Sequence, residues 1–183
     1  MFVFFICFAV FMLVSSYDTM KIAILLLVLC IFPLVMVPYI LDKIKLYKMD
    51  ENLIFIYYVF LILALVLGSI LGFYHKIWWF DLLCHFISGF LTSLIGFILL
   101  KNNKLASKKY KWFGFIFILM FSVSIAAIWE YFEFTIDLFG GDTQHALETG
   151  VRDTMEDMLI ATLAGIISSI YYLYYLKKSK EGK

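Results

Sequence analysis

The sequence predicts an all-α, polytopic membrane protein, a bundle of about six transmembrane helices in one integral membrane domain spanning residues 1–183. Three observations predict this class. Of the 183 residues, 64% are hydrophobic and only 16% are charged, whereas soluble domains are about 45–50% apolar and about 25% charged. Several apolar segments are about 20 residues long, enough to span a hydrocarbon core of about 30 Å. Lysines gather in alternate connections between these segments.

Six apolar segments follow one another along the chain. They cover approximately residues 2–16, 21–41, 53–73, 80–100, 112–138 and 156–176. Segment 1 is short and can be read as a signal peptide. It has no basic n-region and no A-x-A-like cleavage site, which favours a retained helix. In segment 2, Pro33 and Pro38 predict a kink or a frayed end. In segment 3, Gly68 and Gly72 predict close packing against another helix.

Lysine positions predict the orientation of the helices, because positive loops stay in the cytoplasm. The connection between segments 2 and 3, the connection between segments 4 and 5, and the C-terminal tail are rich in Lys. These three regions fall on one side, so both termini are predicted to be cytoplasmic. The opposite connections contain only Lys21, Lys76 and Arg152. Trp78, Trp79 and Trp129 suit the aromatic belt of the outer surface.

Charge and cysteine content exclude several classes of protein. The net charge is +1, and no nucleic-acid-binding signature occurs, so no nucleic-acid partner is expected. Cys7, Cys30 and Cys84 are isolated from one another, and their spacing predicts neither a disulfide nor a zinc finger. The lipid bilayer is the partner that the composition implies.

Carboxylates and one histidine recur at the same predicted depth in segments 4, 5 and 6. Segment 5 runs outward from about Trp112, and Glu130 lies roughly 27 Å along it at about 1.5 Å per residue. Glu133 and Asp137 follow at i+3 and i+7, on the same helical face. The starts of segments 4 and 6 each carry an i, i+4 pair: Asp81 with His85, and Asp153 with Asp157.

Small residues continue each of these faces toward the middle of the bilayer. The residues are Ser88, Thr92 and Gly96 in segment 4, Ser122 and Ala126 in segment 5, and Ala161, Gly165 and Ser168 in segment 6. Small residues at this spacing let membrane helices pack closely, so segments 4, 5 and 6 are predicted to form the compact core. We expect one cluster of Asp81, His85, Glu130, Glu133 and Asp157, with Asp137, Arg152 and Asp153 at its rim.

Helix capping is the alternative explanation for some of these acids. Acids at a helix N-terminus cap it and interact favourably with its dipole. This explanation applies to Asp81, Asp153, Glu156 and Asp157. It does not explain Glu130 and Glu133, which lie near the C-terminus of segment 5, where acids are disfavoured. No lysine occurs in residues 112–176 to neutralise them.

Three kinds of partner can neutralise such carboxylates, and the sequence leaves all three open. Carboxylates with one imidazole suit Zn, Mn or Fe, and the oxygen-rich set also allows Mg or Ca. The candidate metal ligands are Asp81, His85, Glu130, Glu133, Asp153 and Asp157. Arg152 is the second candidate partner, since a guanidinium binds a carboxylate or an anionic substrate group bidentately. Protonation of crowded carboxylates is the third.

The connection between segments 5 and 6, residues 140–150, is either a lid over these carboxylates or a solvated turn.

Three motifs, WWFDLLCHFISGF (78–90), AIWEYFEFTID (127–137) and TGVRDTMEDML (149–159), carry these residues. In this order they resemble the YjdF-like family of small bacterial inner-membrane proteins, over about residues 53–176. The resemblance implies a bacterial cytoplasmic-membrane location and supports the predicted topology. It implies no reaction.

Three classes of function remain open from the sequence. The first is a metal-dependent hydrolase or transferase acting on a lipid-linked or anionic substrate, with Glu130 or Glu133 as general base and Arg152 holding the anionic group. The second is a cation- or proton-coupled transporter, although transporter sites usually lie near the midplane of the bilayer. The third is a non-catalytic assembly or accessory protein, in which the cluster only joins the helices.

Overall fold

The computed structural model describes residues 34–44, 47, 49–140 and 150–179, without the side chains of residues 70, 136, 139 and 140. Every regular element in these ranges is helical, which confirms the all-α class. The predictions for segment 1, for most of segment 2 and for residues 141–149 lie outside the described residues.

Six helices are numbered here along the described chain. They are α1 (34–43), α2 (Glu51–Leu61, continued by the π-helical residues Ile62–Ile70), α3 (Phe73–Lys76), α4 (Phe80–Asn102), α5 (Lys111–Gly140) and α6 (Val151–Lys178). A 3-10 turn, Lys108–Tyr110, leads into α5.

Within the described residues, four stretches are long and apolar enough to cross a membrane. They are Glu51–Ser69, Phe80–Asn102, Lys108–Thr135 and Val151–Lys178. They correspond to predicted segments 3 to 6. The helix of segment 6 begins at Val151 rather than at about residue 156, because helical hydrogen bonding continues into polar residues ahead of the apolar run. The hydropathy pattern marks the hydrocarbon boundary, not the end of the helix.

A tight turn between α2 and α4 sets where α4 begins. Gly72 adopts a left-handed conformation, with φ of 71°, which a glycine tolerates without a side-chain clash. The rings of Phe73 and Tyr74 then lie 5.3 and 5.6 Å from the ring of Phe80. This aromatic contact holds the first turn of α4, which carries Asp81 and His85.

The three C-terminal helices pack against one another through small residues, as predicted. A Cβ atom added at Gly89 of α4 would lie 2.7 Å from the Ala164 side chain and 2.8 Å from the Ala161 carbonyl of α6. The Ser122 hydroxyl of α5 donates to the Gly89 carbonyl at 3.2 Å, and the Thr92 hydroxyl donates to Ser122 at 3.2 Å. These contacts bring the three backbones together directly below the polar cluster.

The buried faces of α4 and α6 are rotated slightly from the predicted ones. Ser88 and Ser168 are half-buried, whereas their neighbours Gly89 and Ser169 are buried. Adjacent residues on a helix differ by about 100° in direction. Which face of α4 or α6 contacts a neighbouring helix therefore depends on how that helix packs between its two neighbours.

At the other end of the bundle, aromatic and aliphatic side chains form the contacts. The Phe97 ring of α4 lies 5.7 Å from the Tyr172 ring and 5.2 Å from the Tyr175 ring of α6. Since His85 meets Asp157 at one end and Phe97 meets Tyr172 at the other, α4 and α6 run in the same direction.

Candidate metal centre

The first turns of α4 contribute an aspartate and the only buried histidine among the described residues. Asp81 and His85 are one turn apart, and their Oδ1 and Nε2 atoms lie 3.6 Å apart. His85 is buried, whereas the Asp81 side chain is 24% exposed. Asp81 therefore lies on the side of the site that opens to the surface.

Helix α5 contributes two buried glutamates on one face. Glu130 and Glu133 are each 6% exposed. Glu130 Oε1 lies 3.6 Å from His85 Nε2 and has no hydrogen-bond partner. Glu133 Oε1 accepts a 2.7 Å hydrogen bond from the Trp129 indole. One glutamate thus has an unpaired oxygen facing the imidazole, and the other is held by a neighbouring side chain.

Helix α6 contributes Asp157, which is 2% exposed. Its Oδ2 atom lies 4.0 Å from His85 Nε2. The Thr154 side chain, one turn earlier, lies close to the Glu130 carboxyl group. Helix α6 therefore contacts both the histidine and one of the glutamates.

The side chains from these three helices converge around His85 and form a buried cluster of one histidine and several acids. In two overlapping groups, the ligand atoms lie within 4.8 Å of one another: Asp81, His85 and Asp157 form one group, and His85, Glu130 and Glu133 form the other. The two oxygen atoms nearest to His85 Nε2 are 3.6 Å away, which is too long for a hydrogen bond. The imidazole Nε2 atom thus faces carboxylate oxygens from all three helices at distances of 3.6–4.0 Å.

The predicted rim residues lie outside both groups. Asp153 is half-buried, and Asp137 is 1% exposed. Arg152 points to the surface with 86% of its side chain exposed, and its Nε donates to Glu156 at 2.8 Å. Arg152 therefore pairs with a carboxylate, but its partner is the exposed Glu156 of α6 rather than a member of the cluster.

Trp129 and Thr154 are site residues that the sequence analysis missed. Trp129 was interpreted as a member of the outer aromatic belt, yet its indole bonds to Glu133 and its ring packs on the Val35, Leu61 and Leu65 core. The i, i+4 spacing of Trp129 and Glu133 is a signal that predicts this bond, since residues at this spacing face each other on a helix. Cys84 packs with Ala64 and Phe80 and belongs to neither group of ligand atoms.

One comparison with known proteins identifies a family. The family model described as "Predicted membrane protein (DUF2238)" matches residues 1–178. This family includes the YjdF-like proteins, so the match confirms the resemblance of the three motifs. No curated protein and no solved structure matches the chain.

Proposed function

We propose that this chain, which belongs to the DUF2238 family of membrane proteins, binds one divalent transition-metal ion between α4, α5 and α6. The ligands are His85, Asp81, Glu130 and Asp157, with Glu133 beside them. The bound ion would serve a hydrolase or a transferase that acts on a lipid-linked or anionic substrate.

One observation carries this proposal: the unpartnered Oε1 atom of Glu130. A buried polar atom without a partner costs free energy, and a buried carboxylate is normally paired or bound to a metal. Glu130 Oε1 lies 3.6 Å from His85 Nε2, so both atoms face the same small space. A cation bound there would interact favourably with every oxygen in the cluster.

The distances within the cluster fit donors that share one ion. In a tetrahedral site, two ligand atoms that each lie about 2.1 Å from the metal ion are about 3.4 Å from each other. The measured separations of 3.6, 3.6 and 4.0 Å around His85 need only a small inward movement. An imidazole among carboxylates favours Zn, Mn or Fe over Mg and Ca, which prefer oxygen ligands alone.

The chemistry would follow from one Lewis acid and one oriented carboxylate. A divalent ion bound there would supply a Lewis acid for a phosphoryl or acyl oxygen and for water. Glu133, which accepts the Trp129 hydrogen bond, would act as the general base toward the attacking water. Asp81 lies on the accessible side, where a substrate would enter. The Arg152 guanidinium would leave its ion pair with Glu156 and bind an anionic group of the substrate instead.

The substrate class rests on the depth of the cluster. The ligands come from the first turns of α4 and α6 and from the last third of α5. They therefore lie near one membrane surface, where a lipid carries its headgroup. With the lysine-rich end in the cytoplasm, this surface is the outer one, and the membrane is the bacterial inner membrane.

Metal analysis of the purified protein tests the proposal. We expect about one Zn, Mn or Fe ion per wild-type chain after reconstitution and dialysis, measured by plasma mass spectrometry. Glu130→Gln retains the volume but removes the charge, and should lower metal affinity by about 10-fold or more. Glu156→Gln is the matched control, because it makes the same change on α6 outside the cluster and should retain the metal.

The outcomes separate the proposed function from the alternatives. Wild-type protein that binds no ion, or a Glu130→Gln variant that binds as the wild type does, would contradict the metal site and favour a purely structural cluster. If metal is bound, lipid phosphate esters and acyl esters are the first substrates to assay. Glu133→Gln should then abolish most turnover even at metal concentrations that fill the site. Metal-dependent ion flux in liposomes without turnover would instead favour the transporter.

A further inference from the structure

The acidic cluster carries more negative charge than one divalent ion can neutralise. Its two groups of ligand atoms contain four carboxylates, those of Asp81, Glu130, Glu133 and Asp157. Three of these residues are at most 6% exposed, and the Asp81 side chain is 24% exposed. When all four are ionised, one divalent ion balances two of their negative charges and leaves the other two in a largely buried place.

Basic side chains do not supply the missing positive charge. Residues 112–176 contain no Lys, and Arg152 is their only Arg. The Arg152 guanidinium is exposed and donates to Glu156 at 2.8 Å, outside the cluster. Buried charges in proteins are normally paired or bound to metal ions, so the remaining charge favours a second cation.

The positions of the ligand atoms leave one carboxylate for that second cation. Glu130 and Glu133 form a group with His85, separate from the group that holds Asp81 and Asp157. Two ligand atoms on opposite sides of one ion lie about 4.2 Å apart when each bond is about 2.1 Å long. One ion therefore cannot reach donors spread over both groups equally well, and Glu133 lies beside the proposed ion rather than around it.

Two glutamates of α5 offer oxygen atoms in this second place. Glu133 uses its Oε1 atom to accept the Trp129 hydrogen bond at 2.7 Å, which leaves its Oε2 atom for another partner. Glu130 Oε1 is buried and has no hydrogen-bond partner. Because a carboxylate has two oxygens, Glu130 can bind one ion with each of them.

We infer that a second, weaker divalent ion binds between Glu130 and Glu133 and regulates the metal centre. This inference rests on the proposed function, since Glu130 bridges the second ion to the first. Carboxylates and water without an imidazole suit a hard ion such as Mn or Mg. The second ion occupies the Glu133 carboxylate, so an excess of metal inhibits a reaction in which Glu133 is the general base.

Manganese binding to zinc-loaded protein tests the inference. The purified full-length protein receives one Zn²⁺ per chain, which Mn²⁺ does not displace because zinc binds a given site more tightly. Mn²⁺ is then titrated, and electron paramagnetic resonance measures the unbound aqueous ion. We expect about one Mn²⁺ to bind per chain with the zinc retained, and Glu133→Gln to weaken this step by about 10-fold or more. Glu156→Gln, the same change outside the cluster, should bind both ions as the wild type does.

The results separate this inference from the metal centre itself. Retention of one Zn²⁺ without any Mn²⁺ binding would overturn the second site and leave the first intact. A failure to retain Zn²⁺ would contradict the proposed function as well. Equal Mn²⁺ affinities in Glu133→Gln and Glu156→Gln would mean that the second ion binds elsewhere, which also overturns the inference.

Fluorescence of Trp129 locates the second ion if Glu133→Gln does not fold. Trp78, Trp79 and Trp112 are exposed, so Trp78→Phe/Trp79→Phe/Trp112→Phe leaves Trp129 as the only tryptophan. Paramagnetic Mn²⁺ bound to Glu133 should quench Trp129 along the binding curve, and unchanged emission would contradict the site. Turnover should fall along the same curve, and turnover that rises with the second ion would overturn the inhibitory role.

Discussion

Trp129 shows how a single residue can support the proposed metal centre without touching the ion. Its indole donates a 2.7 Å hydrogen bond to Glu133 Oε1. A hydrogen bond to a charged group is worth about 1.5–3 kcal/mol, and here it also fixes the direction of the second Glu133 oxygen. Trp129 is thus a positioning residue, and the groups proposed to hold the ion are His85 and the neighbouring carboxylates.

We predict that Trp129→Phe weakens metal binding by about 10-fold, because outer residues that orient ligands typically contribute about 10–100-fold. The substitution keeps an aromatic ring against the Val35, Leu61 and Leu65 core and removes only the N–H donor. A competitive chelator titration measures the affinity. Trp79→Phe is the control, since Trp79 is exposed at the same end of the bundle. Equal affinities for Trp129→Phe and the wild type would show that the bond does not position Glu133.

At the scale of the helices, the close approach of α4 to α6 determines whether the cluster can form. Gly89 lies one turn below His85, and the space for its missing side chain is filled by Ala161 and Ala164. Gly96, two turns further along α4, has only ordinary contacts with Phe121, the nearest at 3.4 Å. Two buried glycines of one helix thus differ in how closely the partner approaches.

We predict that Gly89→Ala destabilises the protein by about 1–3 kcal/mol, because overpacking forces the backbones apart. One of the atoms in the way is the Ala161 carbonyl oxygen, at 2.8 Å, and a backbone atom cannot rotate aside. Gly96→Ala should be close to neutral. Unfolding in mixed detergent micelles, followed by Trp fluorescence, measures both variants. Similar stabilities for the two would contradict the close approach.

At the scale of the whole molecule, the two ends of the bundle differ in charge. One end holds the acidic cluster with one histidine, and the other holds the lysine-rich connections. Lysine asymmetry orients membrane proteins with the positive end in the cytoplasm. From this asymmetry we expect the end with the proposed metal centre to face the outer surface and the lysine-rich end to face the cytoplasm.

We predict that Val151→Cys is labelled by a membrane-impermeant maleimide in intact cells, and that Asn103→Cys is labelled only after lysis. Both positions are exposed, and they lie at opposite ends of the bundle. The three native cysteines, Cys7, Cys30 and Cys84, are replaced first so that only the introduced thiol reacts. The reverse pattern would invert the orientation and move the proposed metal centre to the cytoplasmic surface.

The sequence by itself determined the helical class, the four stretches of the described residues that are long and apolar enough to span a membrane, and the positions of the acids along them. These properties depend on local features: the length of an apolar run must match the bilayer, and the helical rise converts residue spacing into depth. Depth and periodicity were enough to predict that Asp81, His85, Glu130, Glu133 and Asp157 would meet. The start of α6 was predicted less well, since hydropathy does not report where helical hydrogen bonding begins.

The tertiary structure alone decided how each helix is rotated about its axis. That rotation makes Gly89 rather than Ser88 the closest contact of α4 with α6. It places the Trp129 ring against the Val35, Leu61 and Leu65 core and leaves Arg152 at the surface. The rotation of each helix depends on how three helices pack together at the same time. Contacts between residues far apart in the sequence therefore determine this rotation, and no single segment encodes it.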